Sequence, residues 1–145
     1  MKRHPQLQPL SDDHHGALVL ARRIALAARE RGPLSEVWDE LRRRFARELE
    51  PHFRVEEVRL FPQLEAAGEH ARVERARRDH ARLRELAGAE PAPRVATELA
   101  ELLRRHVRFE ERELFPCAER LLDLPTLEAA GRAALAARAA REARG

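Results

Sequence analysis

The chain has 145 residues, 43% of them hydrophobic and 37% charged, with a formal net charge of +3. That length points to one domain with a core of its own, and the single cysteine, Cys117, excludes an intramolecular disulfide. No run of about 18 apolar residues is present to span a membrane, and the opening MKRHPQLQPLSDDHH lacks the apolar stretch of a secretory leader, so a cytoplasmic protein is expected.

Ala, Leu, Arg and Glu dominate, tyrosine is absent and β-branched residues are few. These are helix formers, and no stretch alternates in the strand period, so the expected class is all-α. A first helix is predicted over 11–31, with Ser11, Asp12 and Asp13 as capping and first-turn residues and Gly32-Pro33 as its stop. A second runs over 34–67 and stops at Gly68, and a third over 69–87, before Gly88 and the Pro91-Ala92-Pro93 loop. A fourth covers 94–122, before Pro125, and a short Ala/Arg-rich fifth helix fills 126–141; it carries none of the chemistry of the other four and could pack on the bundle, dimerise or stay loose. Short connections imply antiparallel neighbours, hence an up-down-up-down four-helix bundle over 1–124 with a C-terminal helix or tail over 125–145. Pro51, Pro62 and Pro116 fall inside helical patterns, and each is expected to kink or end its helix.

Each of the four long helices carries one apolar stripe. On the second it reads Trp38, Leu41, Phe45, Leu49, His52, Glu56, Leu60; on the fourth, Leu99, Leu102–Leu103, His106, Glu110, Leu114. On the first it reads Leu10, His14, Ala17, Ala21, Ile24, Ala28; on the third, Val73, Ala76, His80, Leu83, Ala87. Histidine thus enters the core stripe of all four helices and glutamate that of two. Unmatched buried carboxylates and imidazoles cost several kcal/mol, so the core must contain something that satisfies them.

The chain also repeats itself. His52-Phe-Arg-Val-Glu-Glu-Val-Arg-Leu-Phe-Pro62 aligns without gaps to His106-Val-Arg-Phe-Glu-Glu-Arg-Glu-Leu-Phe-Pro116, with seven of eleven positions identical, and Asp13-His14 pairs with Asp79-His80. Each half reads helix with His, then helix with His-x-x-x-Glu, which builds a pseudo-twofold bundle. Residues i and i+4 share a helix face, so a His and a Glu so spaced reach one cluster, and a carboxylate can bridge two cations. Imidazole nitrogen with carboxylate oxygen suits iron, manganese or zinc better than calcium or a soft metal.

These motifs over the first 120 or so residues, Asp-Asp-His-His, His52-x-x-x-Glu56, Asp79-His80 and His106-x-x-x-Glu110 with Leu-Phe-Pro after each His-x-x-x-Glu, resemble the hemerythrin-like, HHE cation-binding family. The resemblance implies a four-helix bundle holding two iron ions, oxo- or hydroxo-bridged, with Mn or Zn as substitutes. Glu56 and Glu110 would be the bridging carboxylates, and His14, His52, His80 and His106 the terminal ligands. The oxygen-carrier pattern has His-x-x-x-His on the third helix; here Ala76 and Arg84 flank His80 at that spacing, and Glu110 stands four after His106 where carriers have Asp five after. The pattern is closer to the six-ligand HHE proteins linked to iron, oxygen or redox sensing and nitrosative stress.

His15 is an alternative or additional ligand, although the stripe favours His14 because His15 shares its face with Arg22 and Arg29. His4 and His70 are expected to be exposed, Glu57 and Glu111 to pair with arginines, Glu113 to accept from a ligand imidazole, and Cys117 to act as a small buried hydrophobe. The arginines, interspersed with Glu and without aromatic residues between them, read as solvated helix surface rather than a nucleic-acid site. The favoured function is a non-catalytic di-iron module that binds or senses O₂, NO, peroxide or iron. The alternatives are a peroxidase- or oxidase-like or iron-donating di-iron enzyme and a metal-free helical interaction module; no membrane is involved and any protein partner is unidentified.

Overall fold

The computed structural model describes residues 2–30 and 34–144. Within them the chain forms five helices and no strand. Helix α1 is Gln8–Arg29, α2 spans 34–66, α3 is His70–Gly88, α4 spans 93–121 and α5 is Leu124–Ala143. The proposed stop at Gly32-Pro33 lies outside the described residues. Helix α1 begins before Ser11, behind Leu7 and with Pro9 in its first turn, where the missing N–H costs nothing. Ser11 is therefore not a cap, and its hydroxyl instead donates to Glu111 Oε2 at 2.7 Å. At the same end of the bundle, Gly68 turns the chain from α2 into α3 at φ +96°, a conformation other residues adopt only under strain. Asp123 caps α5 by accepting the Thr126 N–H at 3.0 Å.

The prolines do not end their helices. Three π-helical turns, Phe45–Leu49, Glu56–Leu60 and Glu110–Leu114, each lie just upstream of a proline: Pro51, Pro62 and Pro116. In each, the residue before the proline donates its N–H five back, from Glu50 to Phe45, Phe61 to Glu56 and Phe115 to Glu110. A proline ring collides with the carbonyl four residues earlier; a turn widened by one residue moves that carbonyl aside and lets the helix run on. Two of the three widened turns open on the glutamates of the repeated motif.

The apolar core is two clusters, and the order in which each helix meets them gives the topology. Helix α1 passes from Leu10 in one cluster to Ala17, Leu20 and Ile24 in the other; α2 runs back from Trp38, Leu41 and Phe53 to Leu60, Phe61 and Leu64. Helix α3 goes from Val73 and Ala76 to Leu83 and Leu86, and α4 returns from Leu99 and Leu103 to Leu114 and Phe115. The directions alternate, as an up-down-up-down bundle requires. On every helix the stripe histidine stands where one cluster gives way to the other, so the buried polar residues form a layer across the bundle, closed by apolar packing above and below.

Helix α5 is more than a tail. It packs on α1 and on the middle of α2, burying Leu127, Ala130, Gly131 and Ala134. Gly131 is needed for this approach, because a Cβ there would stand 2.8 Å from the Gln6 backbone oxygen. Gly131→Ala is expected to destabilise the protein by about 1–3 kcal/mol through overpacking, despite the better helix propensity of alanine, and urea unfolding of the two proteins measures it.

Candidate metal centre

Six buried polar or charged side chains lie in the core among the described residues: His14, His52, Glu56, His80, His106 and Glu110. Both glutamates are 0% exposed. The i and i+4 spacing puts His52 beside Glu56 and His106 beside Glu110 on their helix faces, and antiparallel packing brings the single histidines of α1 and α3 against them. The imidazoles turn Nε2 inward: His14 to Glu110 Oε1 at 2.8 Å, His52 to Glu56 Oε2 at 3.4 Å and Glu110 Oε1 at 3.5 Å, His80 to Glu56 Oε1 at 3.2 Å and His106 to Glu110 Oε2 at 3.2 Å.

Two groups of possible ligand atoms result, each within a 4.8 Å span: His14, His52, Glu56 and Glu110, and Glu56, His80, His106 and Glu110. The glutamates belong to both. Nε2 of His52, His80 and His106, both oxygens of Glu56 and Oε2 of Glu110 are buried without a hydrogen-bond partner. Buried polar atoms are almost always paired, so a convergent set of orphaned nitrogens and carboxylate oxygens fits metal binding in the middle of the cluster.

Every one of these imidazoles is held from behind. The Nδ1 atom of His14 meets Glu111 Oε2 at 2.6 Å, His52 meets Asp13 Oδ2 at 2.9 Å, His80 meets Glu57 Oε2 at 2.7 Å and His106 meets Asp79 Oδ2 at 2.9 Å. A carboxylate accepting the Nδ1–H fixes the tautomer that leaves Nε2 free to ligate. The pattern follows the repeat: the Asp preceding the stripe His orients the other His of its own half, and the Glu following the shared Glu orients the His of the opposite half. The phenylalanine of each Leu-Phe-Pro also crosses halves, Phe115 stacking on His14 at 5.5 Å between centroids and Phe61 lying 5.4 Å from His80.

The charges follow this geometry. Burial works against a charged imidazole, yet the Glu110 carboxylate, together with the bond to Asp79, pushes His106 up to about 10. His14, His52 and His80 are also raised: burial opposes this and the facing carboxylates outweigh it. Burial alone would raise Glu110, but His106 and the other groups around it hold the carboxyl well below its ordinary value. Burial likewise acts upward on Glu57, and hydrogen bonds from His80 and Arg84 bring it down to about 2.

The structure thus brings together all six residues that the stripes and the repeat single out, and it corrects several of their neighbours. His15 is exposed, on the wall of a groove of about 780 Å³ that α1 shares with α4; one residue of helix turns it about 100° from the cluster. Glu113 is not near an imidazole but exposed, facing Arg72 and Arg75 at 3.6 and 3.9 Å. Glu57 and Glu111 do pair with arginines, Arg84 and Arg3, but they hold His80 and His14 at the same time. His4 is half-buried rather than exposed, its Nδ1 accepting the Gln6 N–H at 3.1 Å, whereas His70 is exposed. Cys117 is buried beside Phe115 and Ala118 in the apolar core. The orienting role of Asp13 and Asp79 had a signal in the sequence, an Asp before each single stripe histidine, that helix periodicity alone does not interpret.

No helix among the described residues is long and apolar enough to cross a membrane. Comparison with curated proteins finds no match, and comparison with solved structures finds none. The family model described as Hemerythrin HHE cation binding domain matches residues 7–118, from the start of the bundle through the second Leu-Phe-Pro and including every residue of the cluster. With that match across most of its length, and with a buried His/Glu cluster of metal-binding character at its centre, the chain belongs to the hemerythrin HHE cation-binding domain family.

Proposed function

We infer that the protein is a non-heme di-iron binding module that binds or senses O₂, NO, peroxide or iron supply. The observation that carries this reading is the sharing of Glu56 and Glu110 between the two ligand groups. Such sharing would let Glu56 and Glu110 serve two adjacent cations, with His14 and His52 completing one position and His80 and His106 the other. Imidazole and carboxylate suit iron, with manganese or zinc as substitutes. A pair of iron ions supplies, when bound, a redox couple open to small diatomic ligands. The chain's own residues fix the imidazole tautomers, supply the bridging charge and keep bulk water out with an apolar cluster on either side. The reading places the protein in a reducing cytoplasm, with Cys117 as a buried thiol.

Aerobic purification followed by metal analysis and visible spectroscopy tests it. About two irons per chain, with charge-transfer bands that bleach on reduction and return with oxygen, are expected. Zinc alone would keep the site and remove the redox role, and a chain that cannot be loaded with any metal would leave a helical interaction module. The orienting carboxylates give a finer check. Asp79→Ala is expected to weaken metal binding about 10- to 100-fold by freeing the His106 ring, measured by competition with a chelator.

A further inference from the structure

The two halves of the site are built alike, but they are not supported alike. Glu57, which holds His80, is clasped by Arg84 through Nη1 to Oε2 at 2.9 Å and Nη2 to Oε1 at 3.1 Å. Arg84 lies on α3, four residues after His80 and inside the repeat. The equivalent residue four after His14 is Leu18, which is exposed and offers Glu111 nothing. Glu111 is held instead by Arg3, from the segment before α1: Nη2 donates to the Glu111 backbone oxygen at 2.7 Å and to Oε1 at 3.2 Å. Ser11 supplies a further bond at 2.7 Å.

That segment is fastened from two sides. Arg3 Nη1 donates to Glu119 Oε1 at 3.0 Å, and the His4 N–H donates to Glu119 Oε2 at 2.5 Å, tying it to the end of α4. Behind it stands α5, with Gly131 pressed against Gln6. The other pair of orienting residues repeats the asymmetry. Asp13, which holds His52, faces Arg141 of α5 at 3.9 Å. Among the described residues, Asp79, which holds His106, has no arginine within salt-bridge distance.

We propose that the two metal positions are inequivalent, and that the His14–His52 position is shaped from outside the four-helix repeat, with Arg3 as its positioning residue. This rests on the two-metal reading above. A ligand imidazole is only as well aimed as the carboxylate behind it. Without Arg3, Glu111, whose side chain is 30% exposed, keeps only Ser11 and His14 itself as partners, and His14 is less firmly aimed. The His80–His106 position keeps its own clasp through Arg84.

The test uses the full chain, stripped of metal and titrated with Fe(II) under anaerobic conditions and separately with Zn(II), with metal per chain and stepwise affinities as readouts. Arg3→Gln is expected to weaken one binding step about tenfold and leave the other unchanged. Arg3→Lys, which keeps the charge but loses the forked contact to Glu111 and Glu119, is expected to give a smaller loss of the same step. The Arg3→Gln effect should vanish in a His14→Ala background, where that position is already broken, and persist in His80→Ala. Equal weakening of both steps, no weakening of either, or a full effect in His14→Ala overturns the proposal. Should Arg3→Gln fail to fold, judged by circular dichroism, the same comparison is made with Arg3→Lys, and unchanged stepwise affinities there overturn it. A wild-type chain that takes up fewer than two metals brings down the two-metal reading itself, an outcome visible before any variant is made.

Discussion

On the two-metal reading, Glu110→Gln is expected to empty both metal positions, whereas His80→Ala is expected to cost only one. Among the described residues, Glu110 is the one carboxylate within salt-bridge distance of three of the four imidazoles, reaching His14 and His52 through Oε1 and His106 through Oε2. It belongs to both ligand groups and is completely buried. An amide keeps the shape and removes the charge, so each position loses an anionic donor at once, while the histidine substitution removes a neutral donor from one position. Metal analysis of the purified variants is expected to give close to none for Glu110→Gln and about one per chain for His80→Ala. The metal-free Glu110→Gln protein should also be less stable than metal-free wild type, by about 3–5 kcal/mol, because the raised imidazoles around it lose a buried counter-charge. Urea unfolding reads that loss. Two metals retained in Glu110→Gln would show that the carboxylate is not shared.

The sequence made the six cluster residues legible because two periodicities coincide in it. The 3.6-residue stripe places His52, Glu56, His106 and Glu110 in line with leucines and phenylalanines, and the repeat doubles the signal. Polar residues on an apolar stripe conflict with the pattern around them, and such conflict marks functional positions. What lay off the stripe was harder to interpret. Asp13, Glu57, Asp79 and Glu111 stand next to stripe residues, so periodicity assigns them to the surface. They reach the imidazoles because those rings sit at helix–helix seams, a matter of packing rather than spacing. The same limit applies to the prolines. A proline inside a helical pattern implies a break, but whether the chain breaks or widens depends on the tertiary contacts that keep both flanks helical, here the packing of Phe53, Phe61 and Phe115 in the core. Helix α5, whose packing the sequence leaves open, backs the N-terminal segment and places Arg141 near Asp13.

The second large effect is on pH, and it carries opposite signs for the metal-free and metal-loaded protein. The four imidazoles have folded pKa values above the ordinary histidine value, His106 at about 10. A group raised on folding contributes stability that is complete below its unfolded value, about 6.5, and disappears as pH climbs through the folded value. The metal-free protein should therefore hold its stability from near neutral pH downward, as far as the carboxylates stay ionised, and weaken toward pH 10. Glu57 sets an acid limit of its own: its contribution is complete above its unfolded value of 4.5 and is lost as pH falls toward about 2. Metal binding runs the other way, since a ligand imidazole must give up the proton that stabilises the empty site. Each imidazole that is still protonated when the metal arrives lowers the apparent affinity about tenfold per pH unit, so His106 alone should give a tenfold gain from about pH 7 to pH 8. The other three steepen the dependence wherever they remain charged. Chelator competition at several pH values measures the slope, and thermal melts of the metal-free protein across the same range measure the stability. An affinity that does not change with pH would mean that the metal displaces no proton, so that the imidazoles are already neutral and the carboxylates already ionised before the metal enters.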